Sequence, residues 1–407
     1  MTVQLKHDTC LSKGGFMNYM SLGFDGTSHR AQEDIEASCF LTQNYHLYTS
    51  ERVETIRLAA ENQQQLLDTI GAAFKHVTQD QDSNPVVIGA IPFDTTQPSM
   101  LHFYRQHQKQ NTASFTQFEH QQQFGSFKLN SQKRLVSKQQ FANAIDQALI
   151  QFDHNNLEKI VLSQAVDFEL SHQQSPYDLV HTLAAQNQHA FSFVIPVEDN
   201  AHLLGASPEL LISKQGHIVK SNPLAGSRPL SEDDRINQKN IEDLYASTKD
   251  LHEHQIVVDS VFKNLKPFCQ KLSVSEQPEI LKTTTMLHLS SVFEGQLKNE
   301  QTNALALALS LHPTPAICGS PTQLSKHFIL EHEGYDRNYF AGLVGWMDAD
   351  GNGEWAVTIR CGLLSERNLR LYAGAGIVKG SEAELEWNET EAKMQTLLKT
   401  LNATCET

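Results

Sequence analysis

Three charged side chains near the C-terminal end, Glu386, Glu389 and Lys393, fall at i, i+3 and i+7. They belong to the stretch Ser381-Glu382-Ala383-Glu384-Leu385-Glu386-Trp387-Asn388-Glu389-Thr390-Glu391-Ala392-Lys393. On a helix that spacing stacks two carboxylates and an ammonium along one face. Such a set could hold a divalent cation beside an anionic ligand. Ser381 with Glu384 three residues on has the form of a capping box, so a helix is expected here. A solvated face with an i, i+4 Glu–Lys pair would give the same spacing. The stretch gains chemical meaning only through partners elsewhere.

Those partners are candidates in three places. In Lys249-Asp250-Leu251-His252-Glu253-His254, the residues Asp250, Glu253 and His254 share a helix face, and Ile256, Val257 and Val258 show that the helix is also buried. A carboxylate turned toward a core needs a metal or a cationic partner. The H-E-x-x-H zinc spacing is absent, and oxygen donors favour Mg²⁺. We place His252 and His254 at the surface or behind such a site. Lys159 stands where the apolar strand of Glu158-Lys159-Ile160-Val161-Leu162-Ser163 begins. In a dry site its ammonium could lose a proton and act as a base; otherwise it is a solvated strand end. Glu209 follows the Ser207-Pro208 turn and precedes Leu210 and Leu211. Apolar surroundings there could raise its pKa and make it an acid.

Two further motifs imitate chemistry. Asp348-Ala349-Asp350-Gly351-Asn352-Gly353 starts like a calcium loop, but Ile359 stands where the twelfth-position Glu is required, so a hairpin turn is expected. Gly374-Ala375-Gly376-Ile377-Val378-Lys379-Gly380 approaches a dinucleotide fingerprint but has Lys379 at the third glycine position. Its amides could still cradle a carboxylate or phosphate.

The elements that must carry these residues are mostly strands. Pro85–Asp94 reads as a buried strand running into a turn, and Gln106–Phe127 as a polar, irregular connection. Ser137 with Gln140 caps a helix whose Phe141, Ile145, Leu149 and Phe152 form one stripe. Strands follow at Ile160–Leu162, Phe191–Ile195, His202–Leu204, Leu210–Ser213 and His217–Lys220. A helix over Lys249–Lys266 stops at Pro267. Strands return at Ala341–Met347, Glu354–Cys361 and Leu369–Ala373 before the C-terminal helix. This order predicts an α+β fold with largely antiparallel sheets. With no repeat and no proline-rich linker, residues 1–407 are expected to form one domain.

Composition is that of a globular protein. Hydrophobic residues make up 40% of the 407 and charged residues 19%. The net charge of −15 argues against a nucleic-acid partner. The cysteines at 10, 39, 269, 318, 361 and 405 form no C-x-x-C pair, which suits reduced thiols in a cytoplasm. Met1–Cys10 has no apolar signal core, and the longest apolar run, Ala304–Leu311, is too short for a membrane span.

The motifs together resemble those of the chorismate-utilising enzymes, and within them the isochorismate synthases. The resemblance runs from about Lys159 to Lys393, with GAIPFD at Gly89–Asp94 as an N-terminal echo. It rests on the order KIVLS, GASPELL, PLAGSRP, STKDLHEH, LHLSSVFEG, LHPTPAICG, YFAGLVGW, TIRCG, YAGAGIV and EWNETEAKM. It implies an α+β fold of two large packed, mostly antiparallel sheets with helices outside. Residues 1–130 would be a variable half-sheet and 150–400 would hold the catalytic motifs. It further implies chorismate as substrate and Mg²⁺ as cofactor, in a monomer.

By position, Glu253 and Glu389 match the metal ligands, with Glu386 beside them. Lys159 matches the base that activates water, and Glu209 the acid that protonates the departing C4 hydroxyl. Gly226, Ser227, Arg360, Gly374 and Lys393 match substrate-holding positions, and His288, Ala316 and Tyr372 pocket-lining ones. Lys159 implies water as nucleophile. Ala225 stands where aminodeoxychorismate synthases have a lysine, and Ala316 where anthranilate and salicylate synthases have threonine. Ile317 and Cys318 depart from the commoner Leu and Ser. Lys159, Ala225 and Ala316 imply isochorismate as product, and the compact length with the HEH and EWNET variants resembles the branch for 2,3-dihydroxybenzoate siderophores rather than menaquinone. A salicylate synthase, a non-catalytic carboxylate binder and a zinc hydrolase on His252 and His254 are the rivals.

Overall fold

Alternating side chains set the sheets of this protein. Phe191–Pro196 pairs antiparallel with Ala201–Ser207. Phe193, Ile195 and Leu203 point into one hydrophobic core, while Val194, Leu204 and Ala206 point into another. The computed structural model describes residues 37–78, 83–112, 128–154, 156–198, 200–400 and 404–405. The Met1–Cys10 reading and residues 113–127 of the polar stretch lie outside the described residues.

One run of antiparallel strands passes through Cys269–Val274, Phe293–Leu297, Ile218–Asn222, Leu210–Gln215 and Gly353–Val357. It continues through Leu343–Asp348, Val86–Ile91, Met100–Asn111 and Tyr45–Ile56. A second run passes through Phe191–Pro196, Ala201–Ser207, Cys361–Ser365, Asn368–Ile377, Lys159–Leu170 and Lys128–Arg134. The short strand Cys39–Leu41 pairs with an edge of each run and joins them. The expected pair of large antiparallel sheets is therefore present, sharing a core that includes Trp355 and Val87 from one and Ile160 and Phe193 from the other. A third, small sheet of Leu224–Pro229, Met286–Ser290 and Glu279–Lys282 stands apart, with its own cluster around Leu244, Leu287 and Leu289.

The helices follow their caps. Ser137 and Gln140 form the predicted reciprocal box before Lys138–Asp153, and Thr248–Leu265 ends at the expected place. Among the described residues no helix is long and apolar enough to cross a membrane. Cys39, Cys269, Cys318 and Cys361 are free and buried.

Three local expectations are corrected. Gln106–Asn111 is the end of a strand, pairing with Tyr45–Ser50; its backbone ladder holds although its polar side chains show no periodicity. The expected strand Glu354–Cys361 is broken at 358–360, where Arg360 takes a left-handed backbone (φ 50°) and the chain leaves one sheet for the other. The Ser381 box does not close: the Ser381 hydroxyl accepts from the Val378 amide, and Glu384 turns to Lys138. The helix Ala383–Thr400 forms regardless.

A buried ion pair fixes the strand Lys159–Leu170 against the neighbouring loop. Arg337 donates twice to Glu333, at 2.6 and 2.7 Å, and also to the carbonyls of Ile317 (2.9 Å) and Val161 (2.8 Å). Glu333 in turn accepts from the Ser163 amide at 2.7 Å. Removing one partner strands the other charge in the core, which costs about 3–5 kcal/mol. Glu333→Ala should therefore lower unfolding free energy by that order. The double variant Glu333→Leu with Arg337→Met should lose clearly less. Denaturant unfolding of the three proteins checks this, and equal losses in single and double variants would refute it.

Candidate active site

The chain crossing at 358–360, the bulged strand Leu224–Pro229 and the two helices Thr248–Leu265 and Ala383–Thr400 converge on one cleft of about 690 Å³, counted out to its mouth. Its lining includes Glu209, Gly226, Ser227, Glu253, His288, Ala316, Arg360, Tyr372, Gly374, Glu389 and Lys393. Eleven of the thirteen residues singled out from sequence thus face one space. Lys159 and Glu386 lie just behind it.

Lys159 is fully buried, and its Nζ is 2.9 Å from Glu253 Oε1. Gly376 makes that pair possible. A Cβ on Gly376 would sit 2.4 Å from Glu253 Oε1 and 3.3 Å from Lys159 Cε. Despite burial, the Glu253 carboxyl is held below its ordinary pKa by Lys159 and then Lys393. Glu209 differs. It too is buried, and its Oε1 has no hydrogen-bond partner. Burial raises its pKa to about 7, against the pull of a backbone bond at Leu224 and the charges of Lys159, Arg360 and Lys393.

Arg360 is enclosed and makes no salt bridge to a carboxylate among the described residues. Its Nη2 lies 3.4 Å from His288 Nε2. Burial lowers the guanidinium pKa to about 10. His288 is held well below its ordinary pKa by burial, Arg360 and Lys393, so it is neutral beside them. A desolvated guanidinium with a neutral neighbour is a receptor for an incoming carboxylate. Lys393 stands by, donating to the Gly374 carbonyl at 2.9 Å and pairing with Glu389. Ser227 Oγ donates to Glu389 at 3.1 Å. Gly226 sits at the bulge with φ 72°, where a side chain would be strained and would crowd Asp250 and Leu289. Tyr372 stacks parallel on Phe340, 5.2 Å between centroids, and makes a flat wall.

The acidic residues form a shell of hard oxygen donors. Glu386, buried, pairs with Lys249 at 3.0 Å, and its pKa is raised by burial and then by Glu389. As placed, no three His, Cys, Asp or Glu groups among the described residues share a cation position, because Glu253, Glu386 and Glu389 each turn onto a lysine. Their chemistry nevertheless fits a divalent, oxygen-seeking cation such as Mg²⁺, which would relieve the Glu386–Glu389 repulsion. It does not fit zinc. His252 is exposed and His254 bonds Ser291 Oγ at 2.8 Å. The Asp348–Gly353 segment is the expected hairpin turn.

Sequence reasoning missed Gly376, Lys249 and the Glu333–Arg337 clamp. Gly376 was visible as a glycine inside a strand, which signals a close approach. Glu333 and Arg337, spaced i, i+4, look like a surface pair.

A family model described as chorismate binding enzyme matches residues 76–402. Isochorismate synthase DhbC of Bacillus subtilis (strain 168) is 40% identical over 383 residues, covering 92% of this chain and 96% of that protein. The vibriobactin-specific isochorismate synthase of Vibrio cholerae is 39% identical over 320 residues, 79% of this chain and 80% of that protein. Among solved structures, a Bacillus anthracis protein assigned as a 2,3-dihydroxybenzoate-specific isochorismate synthase, DhbC, superposes with a TM-score of 0.83 at 35% identity. That match covers 91% of this chain and 97% of the other.

The raised pKa of Glu209 links to stability. From the ordinary value of 4.5 up to about 7, the unfolded chain has released a proton that the folded chain still holds. Stability therefore falls as pH rises through that window and levels off above it. Glu209→Gln should remove this slope, so the variant gains on wild type between pH 4.5 and pH 8. Urea unfolding at the two pH values measures it, and a constant difference would exclude the raised pKa. Gly376→Ala should drive Glu253 off Lys159 and destabilise the protein by roughly 1–3 kcal/mol as overpacking. Wild-type stability in that variant would show the cradle to be roomier than described.

Proposed function

This chain belongs to the chorismate-binding enzyme family, and we propose that it is an isochorismate synthase, interconverting chorismate and isochorismate. The observation that carries the reading is the buried carboxyl of Glu209, whose Oε1 has no hydrogen-bond partner and whose pKa burial raises to about 7, in a cleft that also holds an Arg360 without a salt bridge among the described residues. An acid and an anion receptor in one cleft suit departure of a hydroxyl from a dicarboxylate substrate.

In this reading Arg360 and Lys393 bind the two substrate carboxylates, helped by Ser227 and by the backbone at Gly226 and Gly374. Phe340 and Tyr372 orient the ring, with His288 and Ala316 beside it. Water adds at C2 and gives a proton to Lys159. The C4 hydroxyl takes the proton of Glu209 and leaves as water. One water enters and one departs, so the exchange is balanced and reversible. The ion pair of Lys159 with Glu253 is the resting arrangement. A magnesium ion held by Glu253, Glu386 and Glu389 would supply Lewis-acid polarisation of the ring carboxylate. Ala316 and Lys159 support water chemistry that stops at isochorismate. The coverage by DhbC and by the vibriobactin-specific enzyme supports a place in 2,3-dihydroxybenzoate siderophore synthesis. We read residues 1–407 as one chorismate-binding domain, working as a cytoplasmic monomer without nucleic-acid or membrane partners.

Incubation with chorismate and Mg²⁺, followed by product identification, tests the reaction. A mixture of chorismate and isochorismate should form without stoichiometric pyruvate, and ammonium should change nothing. Pyruvate and salicylate appearing as fast as chorismate disappears would make the chain a salicylate synthase instead. Lys159→Ala and Glu209→Gln should each slow turnover by about 10²–10⁴-fold with little change in chorismate affinity. Near-wild-type rates would cancel the role of the residue concerned. Chelator-treated protein should lose activity and regain it with Mg²⁺, and Glu389→Ala should stay folded but fail to regain it. Full activity after chelation would rule out the metal.

A further inference from the structure

Four carboxylates around the cleft are each held by one cation. Lys159 holds Glu253 at 2.9 Å, Arg228 holds Asp250 at 2.6 Å, Lys249 holds Glu386 at 3.0 Å, and Lys393 holds Glu389. A divalent cation bound by Glu253, Glu386 and Glu389 would enter a shell whose negative charge is already matched. At least one resident cation must then give up its carboxylate.

The four are not equally able to leave. The Lys159 side chain is 1% exposed. Lys393 is 12% exposed and also donates to the Gly374 carbonyl. Arg228 also donates to the Ser227 carbonyl at 2.8 Å. Lys249 is 41% exposed, and its one described hydrogen bond is to Glu386, whose side chain is 5% exposed. Its ammonium can be rehydrated by a rotation of its own stem, while the carboxylate it holds stays in the cleft. The two ends of this pair sit in the first turns of Thr248–Leu265 and Ala383–Thr400, the helices that carry all three metal-type glutamates.

We propose that Lys249 is a displaceable counter-ion. It holds Glu386 in the metal-free protein and swings into solvent when a divalent cation takes that carboxylate, so it competes with the metal and sets its affinity. The proposal rests on Glu253, Glu386 and Glu389 being the metal's ligands.

Metal binding without chorismate tests it directly. Mn²⁺ serves as probe, with the free ion followed by electron paramagnetic resonance, and Mg²⁺ is titrated in a calorimeter. Lys249→Met keeps the apolar stem and removes the charge, so it should bind either ion about two- to fivefold more tightly than wild type, the range of a part-exposed ion pair. Lys249→Arg keeps the charge and can grip Glu386 with two donors, so it should bind no more tightly than wild type. Unchanged or weaker binding by Lys249→Met, or equal binding by the Met and Arg variants, overturns the proposal. Glu389→Ala separates the two layers of the argument. If it binds Mn²⁺ as wild type does, or if wild type binds none, the ligand assignment falls and takes Lys249 with it. If Glu389→Ala loses binding while the Lys249 variants match wild type, the ligands stand and the counter-ion role alone fails.

Discussion

A lysine ammonium buried in a protein interior has to meet a carboxylate, and the position of Lys159 imposes that requirement on everything around it. The carboxylate comes from Glu253, so the helix Thr248–Leu265 must dock with its first turns over the strand Lys159–Leu170. Val257, Val261 and Leu265, buried farther along the same helix, supply the apolar contact that holds it there. The neighbouring strand must present no side chain at Gly376. The Glu333–Arg337 clamp keeps Val161, two residues along from Lys159, tied to the Ile317 loop. One buried charge thus fixes a helix, a strand register and a glycine.

Much of the site could be seen in the sequence because its charges follow helix geometry. Glu386, Glu389 and Lys393 recur at 3.6-residue spacing, and Glu253 sits on the face shared with the buried Asp250 and His254. The strand residues were harder. Arg360 reaches the cleft because the chain breaks at 358–360 to change sheets, and nothing in Thr358-Ile359-Arg360 announces a left-handed backbone at an arginine. Gln106–Asn111 hides its strand because both side-chain faces are polar at that end. The capping signal was right at Ser137 and misplaced at Ser381, where a competing amide from Val378 takes the hydroxyl. Local patterns report what a segment can do alone; tertiary partners decide which option is taken.

The charge of the whole chain and the charge of the cleft have opposite meanings. A net −15 repels a dicarboxylate at long range, and salt screens that repulsion within about 8 Å. Inside the cleft, Arg360 is buried and the Lys393 side chain is 12% exposed, and a charge in such surroundings interacts more strongly than one at the surface. Specificity for an anion on an acidic protein is therefore a matter of local desolvation.

The small sheet of Leu224–Pro229, Met286–Ser290 and Glu279–Lys282 carries Gly226, Ser227 and His288, yet its own cluster rests on Leu244, Leu287 and Leu289 with Leu230, Ile241, Leu251 and Ile280 packed against them. The large sheets are anchored by cores several times that size. Local opening follows buried apolar contact, and this sheet has little of it beyond Ala225, its one residue in the large core. One wall of the cleft then rests on a small apolar cluster, and the other on the large core. Substrate entry and product escape can use that difference, because loosening the weak wall leaves Lys159, Arg360 and Lys393 on their strands and helix.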